Sequence, residues 1–228
     1  MIRFDVCGPN DVDELVAMLA DVFTRADPPA LAVGLTPDEF AALVELYRAR
    51  AAGDGLTIVA RSSATGEIAG ALLAEDSAAP FPEGVERLSP KFEPIFDILS
   101  QLDADHRVSR RVVPGDSLHL FLLGVSERFA RHGVAQRIVA ESLALGRDRG
   151  YRAAVTEATN LVSQHVFRKL GFVERVRRSY TDYRLRGDAV FASITPHGGP
   201  VLFDRELTGA VGRGGVCRRV RHRGTVVT

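Results

Sequence analysis

Tryptophan is missing from these 228 residues, lysine occurs only as Lys91 and Lys169, and cysteine only as Cys7 and Cys217. Two cysteines so far apart, one on a probable first strand and one in a polar tail, indicate no disulfide framework. Neither charge sign is in excess. With 29 basic and 29 acidic side chains the formal net charge is zero, so no overall field draws the chain to nucleic acid or to an anionic membrane. Long hydrophobic runs are missing too: nothing approaches the roughly 20 apolar residues of a membrane span. Asp11, Asp13 and Glu14 also occupy the region where a signal peptide needs its apolar stretch. A soluble, cytoplasmic, monomeric protein without nucleic-acid or membrane partners is the expectation. Arginine supplies nearly all the base, which reads as genome composition rather than function.

The composition that remains, 46% hydrophobic and 25% charged, suits one globular domain with a sizeable core over residues 1–207. Beyond Glu206 there is no acid, only Arg213, Arg218, Arg219, Arg221 and Arg223 among glycines, so residues 208–228 read as a basic, flexible tail. Ile2 to Cys7 reads as a strand, and Asp11 to Phe23 as an amphipathic helix capped by Asn10. Asp27-Pro28-Pro29 then reads as a helix breaker. Thr36-Pro37-Asp38-Glu39 is a capping box opening a helix to about Ala51. Leu56 to Ser62 and Glu67 to Ala74 form a hairpin pattern. Residues 75–116 are irregular apart from a helix over Phe92 to Leu102. Strands follow at Ala153 to Glu157, Phe172 to Arg178, Ala189 to Ser193 and Val201 to Leu207. Strands and helices in this order imply an α/β fold with a mixed sheet.

Chemistry concentrates in two segments. Leu118, Leu120 and Leu122 alternate with Ser117, His119 and Phe121 in a strand that runs into a glycine-bearing turn, and Gly133-Val134-Ala135 opens a helix. About four backbone N–H groups lack partners in such a first turn, and with the helix dipole they attract an anion. No Gly-x-Gly-x-x-Gly follows an N-terminal strand and no Gly-Lys-Ser/Thr occurs, which excludes the Rossmann and P-loop forms of phosphate seat. In the second segment, Thr159 or Asn160 caps a helix, Val162, Val166, Phe167 and Leu170 make an apolar stripe, and Gly171 closes it in a left-handed cap.

The first segment resembles motif A of the GNAT acetyltransferase superfamily, Gln/Arg-x-x-Gly-x-Gly/Ala, with Ala130 at the Gln/Arg position and basic residues at Arg128, Arg131 and His132. Residues 160–172 resemble motif B at its full spacing. Further segments are similar to the insect-type dopamine or arylalkylamine N-acetyltransferases: residues 23–28, 89–92, 123–126, 159–163, 169–172, 180–183 and 196–199. The resemblance implies a mixed, mostly antiparallel twisted sheet flanked by helices. It implies direct transfer of acetyl from acetyl-CoA, the co-substrate, to a small primary amine, with no metal and no covalent intermediate. Leu123, Gly124, Val125, Arg128, Arg131, His132, Gly133, Val134, Ala135, Asn160, Ser163 and Phe167 would bind the donor. A backbone N–H near Val125, exposed by a bulge where the strand splays, would polarise the thioester carbonyl.

Asp27 stands where the family places a glutamate base. The chemistry asks for one, since an alkylammonium of pKa about 10 is only about 0.1% neutral at pH 7, a cost of roughly 4 kcal/mol. Thr159 and Ser163 match family serines. Phe167 replaces a tyrosine acid found in many GNAT enzymes and cannot donate a proton, leaving Ser163, Tyr180 or water for the thiolate. His119, with an ordinary pKa near 6.5, is a second candidate to relay a proton through water. His197 and Tyr183 read as structural. Phe81, Phe92, Phe96 and Leu99 would wall the amine pocket, where few acids are expected, disfavouring polyamines. Two other readings are a protein N-terminal or lysine acetyltransferase and a non-catalytic acyl-CoA-binding module.

Overall fold

A computed structural model describes residues 1–109 and 112–207; the tail assigned to 208–228 lies outside the described residues. Strand β1 (Ile2–Val6) leads into helix α1 (Val12–Ala26), followed by α2 (Pro28–Val33), α3 (Pro37–Leu46) and α4 (Arg48–Gly53). Hairpin β2 (Ile58–Ser62) and β3 (Ile68–Asp76) comes next, then α5 (Glu93–Ser109), β4 (Ser117–Val125), α6 (Val134–Asp148), β5 (Ala153–Ala158), α7 (Leu161–Lys169), β6 (Val173–Arg177) and β7 (Val201–Glu206). The seven strands form one sheet in the order β1-β2-β3-β4-β5-β7-β6, antiparallel except where β4 meets β5. This is the mixed, mostly antiparallel arrangement expected.

Apolar residues of α1, α3, α4 and α5 cover one face of the sheet, and those of α6 and α7 the other. Leu15, Val16, Leu19 and Ala20 fall at helical spacing on the buried side of α1. Gly124 makes that packing close: a Cβ there would lie 2.9 Å from Leu19 Cδ2.

Two features of β4 shape the site. The ladder with β3 shifts between Leu73 and Ala74, leaving Phe121 as the extra residue of a bulge. One extra residue inverts the facing of everything beyond it. Leu118 and Leu120 therefore pack with α6, whereas Leu122 packs with α1 and α3, a reversal that simple alternation does not foretell. The bulge also lies earlier in the strand than the expected one near Val125. Second, the parallel ladder to β5 lasts only from Ser117 to His119, after which the strands diverge.

Several local expectations are corrected. Pro28 and Pro29 do not merely break a helix: at the first positions of a helix their missing N–H groups are no loss, so they start α2, which ends at Gly34 with φ +67°. The capping box at Thr36 forms, with Glu39 Oε2 accepting from Thr36 N–H at 2.8 Å, but the helix stops at Leu46 and resumes after Tyr47. Asn10 does not cap α1; a 3₁₀ turn over Pro9–Asp11 precedes it, and Asp11 accepts from Gly8 N–H. Ala189 to Ser193 is not a strand. Ile194 is buried from a 3₁₀ turn over Ala192–His197 and Phe191 from the position just before it, and β7 pairs instead with β5 and β6.

Candidate active site

Asp27 ends α1 and begins α2. Its φ of −83° and ψ of 119° turn the chain, its N–H donates to Phe23 O at 2.9 Å, and its Oδ2 accepts from Ala30 N–H at 3.2 Å. Oδ1 accepts from Thr159 Oγ1 at 2.5 Å. Only 8% of the residue is exposed. Burial raises its carboxyl pKa to about 6, against the lowering effects of the Thr159 and Ala30 hydrogen bonds and of nearby His197.

Thr159 is held in turn. Tyr180, 1% exposed, donates its hydroxyl to Thr159 O at 2.8 Å, and burial holds the phenol far above its ordinary pKa. Asn160 caps α7, accepting from Ser163 N–H at 2.9 Å, while Ser163 Oγ donates to Asn160 O at 3.0 Å. Gly171, at φ +79°, follows the last turn as expected, and Phe172 N–H reaches back to Phe167 O. Val162 does not join the apolar stripe of α7. It is 76% exposed, and Gln164 is buried instead, donating to Ala158 O and Gly199 O. Phe167 is buried beside Phe172 and Phe203. Tyr183 is more embedded than its sequence context suggests, its hydroxyl bonded to Asp97 at 2.7 Å.

Asp27, Thr159, Asn160, Ser163 and Phe167 line one cavity together with Phe92, Phe96 and Leu99. Phe81 stands apart from it, 76% exposed at the rim of a second cavity. Along one side of the first cavity runs the free edge of β4. Ser126 N–H donates to Ala69 O at 2.9 Å, and antiparallel alternation then points the N–H groups of Leu123 and Val125 away from β3, toward the gap left by β5.

Beyond that edge the chain turns through Arg131, at φ +63°, and Gly133, at φ +76°, into α6. The N–H groups of Val134, Ala135 and Gln136 begin a 15-residue helix and so have no intrahelical acceptors. The basic residues are less available than their number suggests. Arg128 pairs with Glu67 at 2.9 Å and His132 Nδ1 lies 2.7 Å from Ala130 O, while Arg131 is exposed. No group of three or more His, Cys, Asp or Glu able to hold a metal occurs among the described residues.

Residues 36–172 match the Acetyltransferase (GNAT) family. The chain is a GNAT acetyltransferase. Enzymes of this family use acetyl-CoA as co-substrate. Its fold is similar to that of the C-terminal condensation domain of Ebony in complex with beta-alanyl-dopamine, at a TM-score of 0.82 and 14% identity over 90% of this chain and 99% of that one. Arylalkylamine N-acetyltransferase 2 from Aedes aegypti is similar at 0.74 and 24%, over 91% and 99%. A polyamine N-acetyltransferase of Drosophila melanogaster, which forms N-acetylagmatine, is similar at 0.72 and 22%, over 90% and 100%. No helix among the described residues of this GNAT protein is long and apolar enough to cross a membrane.

His119 lies outside the Asp27 group, among carboxylates. Nε2 is 2.8 Å from Glu157 Oε2 and Nδ1 is 3.4 Å from Glu75 Oε1. Burial alone would lower the imidazole pKa, but the two carboxylates outweigh it and hold the ring protonated, while His119 holds Glu157 ionised against its own burial. The ordinary pKa expected of His119 is thereby corrected. Glu157 itself lines the first cavity, so the pocket is less free of acids than the sequence suggested. Pairings across strands, 38 and 44 residues apart, carried no local signal.

Proposed function

We propose that this enzyme transfers acetyl from acetyl-CoA directly to a small primary amine held in the cavity beside Asp27. The observation that carries the reading is a buried carboxylate with a raised pKa, fixed by Thr159 at one end of an apolar cavity whose other side is an unpaired strand edge. Coenzyme A would enter the gap between β4 and β5, its pyrophosphate on the free amides of Gly133, Val134 and Ala135, with Arg131 alongside and Arg128 and His132 at the edge of the turn. Leu123, Gly124 and Val125 would accompany the pantetheine arm, flanked by Asn160, Ser163 and Phe167.

The acceptor arrives as an ammonium ion. Asp27 takes its proton through one water, and the nitrogen lone pair attacks the thioester carbonyl. Negative charge gathering on the carbonyl oxygen is met by the Val125 N–H. As the C–S bond breaks, the thiolate leaves and the second proton on nitrogen passes to it, assisted by the Ser163 hydroxyl. Tyr180 holds Thr159, and Thr159 holds Asp27. His119, held protonated between Glu75 and Glu157, has no lone pair to offer, whereas each Asp27 oxygen accepts one hydrogen bond and keeps a second lone pair, which favours Asp27 as the base.

A small acceptor fits better than a peptide, because Phe92, just ahead of α5, and Phe96 and Leu99 on α5 wall the cavity where a peptide groove would need to be open. The neighbours named for arylalkylamines, polyamines and agmatine support the same class. Thiol release from acetyl-CoA, followed with phenethylamine, alkylamines, diamines and peptides bearing a free N-terminus or lysine, tests it. Turnover on small amines is expected. Turnover on peptides alone, or acetyl-CoA binding without turnover on any acceptor, would overturn it.

A further inference from the structure

We infer that His119 acts as a built-in cation occupying the place that the second ammonium of a diamine would take, so that the enzyme selects monocationic amines against dicationic ones. This deepens the reading of the site as an amine acetyltransferase and rests on it.

The two cavities on the α5 side of the sheet adjoin. Phe96, Leu99, Phe121 and Glu157 line both, and the second is lined in addition by Glu75 and His119. Glu157 thus stands in the partition, reachable from the acceptor side. Its position suits a distal charge. Glu157, near the end of β5, and Thr159, just beyond it, line the same cavity two residues or roughly 6–7 Å of extended chain apart, and Thr159, bonded to Asp27, marks the end where the reacting nitrogen would sit. That separation is close to the nitrogen-to-nitrogen reach of a four-carbon diamine.

Charge decides what the partition accepts. Glu75 and Glu157 bring two negative charges into a setting where their side chains are 10% and 15% exposed. Arg50 Nη1 meets Glu75 at 2.5 Å and anchors to Pro80 O, and the His119 imidazolium bridges Glu75 and Glu157. The two cations balance the two carboxylates. Farther out, Asp103 and Arg107 pair at 2.5 Å and add no net charge. A second ammonium in the partition would therefore meet no uncompensated carboxylate and would lie against a fixed positive ring, a repulsive arrangement in a partly dehydrated site. Without the His119 charge the same cluster holds one carboxylate too many and becomes a site for that ammonium. Uncharged groups remain acceptable throughout.

The test compares phenethylamine with 1,4-diaminobutane on wild type, His119→Gln and the double variant His119→Gln/Glu157→Gln. The ratio of kcat/KM for the monoamine to that for the diamine is expected to fall at least tenfold in His119→Gln and to return toward the wild-type value in the double variant. A merely structural loss would lower both substrates together and leave the ratio in place, which would overturn the inference. Calorimetric titration of CoA-loaded protein with 1,4-diaminobutane gives a reading that needs no turnover: His119→Gln should bind at least tenfold more tightly than wild type, and equal affinities would also overturn it. His119→Asn replaces the glutamine variant if that one does not fold. Wild-type failure to acetylate any small amine would count against the proposed function, whereas turnover of phenethylamine with an unmoved ratio would count against His119 alone.

Discussion

Thr159 donates its hydroxyl to Asp27 at 2.5 Å across 132 residues of sequence. The bond joins the turn between α1 and α2 to the loop between β5 and α7, two segments that meet at the cavity. With Oδ2 accepting from the first turn of α2, each carboxylate oxygen then holds one hydrogen bond and the group is fixed in orientation.

A base with pKa about 6 should set the acidic limb of the rate profile. In wild type, kcat/KM is expected to fall below about pH 6 as Asp27 takes up its proton. Asp27→Asn should lower the rate at pH 7 by roughly 10²–10⁴, recover much of that loss as pH rises and removes the amine proton in solution, and lack the limb. Near-wild-type rates at pH 7 with chemistry limiting would remove Asp27 from the mechanism.

The same substitution should stabilise the fold. Because the folded-state pKa lies above its unfolded value of 3.8, the native carboxylate is harmless below pH 4 and increasingly costly as pH rises through 6. The cost at pH 8 is of the order of 3 kcal/mol. Asparagine removes the charge yet still accepts from Ala30 N–H as a helix cap. Asp27→Asn should therefore melt higher than wild type at pH 8, with the gain vanishing near pH 4; a pH-independent difference would contradict the linkage.

At Gly133 a charge test and a backbone test separate. Its φ of +76° disfavours most side chains, but asparagine tolerates that region and there is open space for a Cβ. Gly133→Asp should raise KM for acetyl-CoA strongly, through repulsion of the pyrophosphate, while Gly133→Asn raises it far less. Equal effects in steady-state kinetics would point to backbone strain rather than an anion seat.

Tyr180→Phe should act on Thr159 rather than on the leaving thiolate. The lost hydroxyl strands a buried carbonyl, at a stability cost of about 1–3 kcal/mol. With the thiolate unaffected, kcat should fall about tenfold, or about 1.4 kcal/mol, while KM for acetyl-CoA stays put. A basic limb moving with the tyrosine would instead make it an acid.

The parts of the site legible in the sequence were those written locally. Gly133 before a helix, Asn160 with Gly171 bracketing α7, and an acid ahead of Pro28-Pro29 each announce themselves within a dozen residues. Helix α2 was hidden because two prolines stop one helix as readily as they start another, and only Gly34 beyond them marks the end of a new one. The bulge at Phe121 left no mark in the leucine alternation, since Leu122 is apolar on whichever face it falls. His119 appeared solitary for the same kind of reason: its partners belong to β3 and β5, and a sheet brings together residues that no spacing rule connects.

The half-closed ladder between β4 and β5 also bears on how this enzyme tolerates genetic drift. In the proposed binding mode the groups that would recognise the donor are main-chain amides, which every residue but proline supplies, so most substitutions along Leu123 to Val125 and through the first turn of α6 would leave them in place. Harmful changes there should be confined to proline, to added negative charge, and to bulk at Gly124, where α1 already touches the strand. The acceptor side would enjoy no such latitude, because the roles proposed for Asp27, Thr159, Glu157 and His119 all belong to their side chains. Random variation should thus alter which amine is chosen long before it alters which thioester is used.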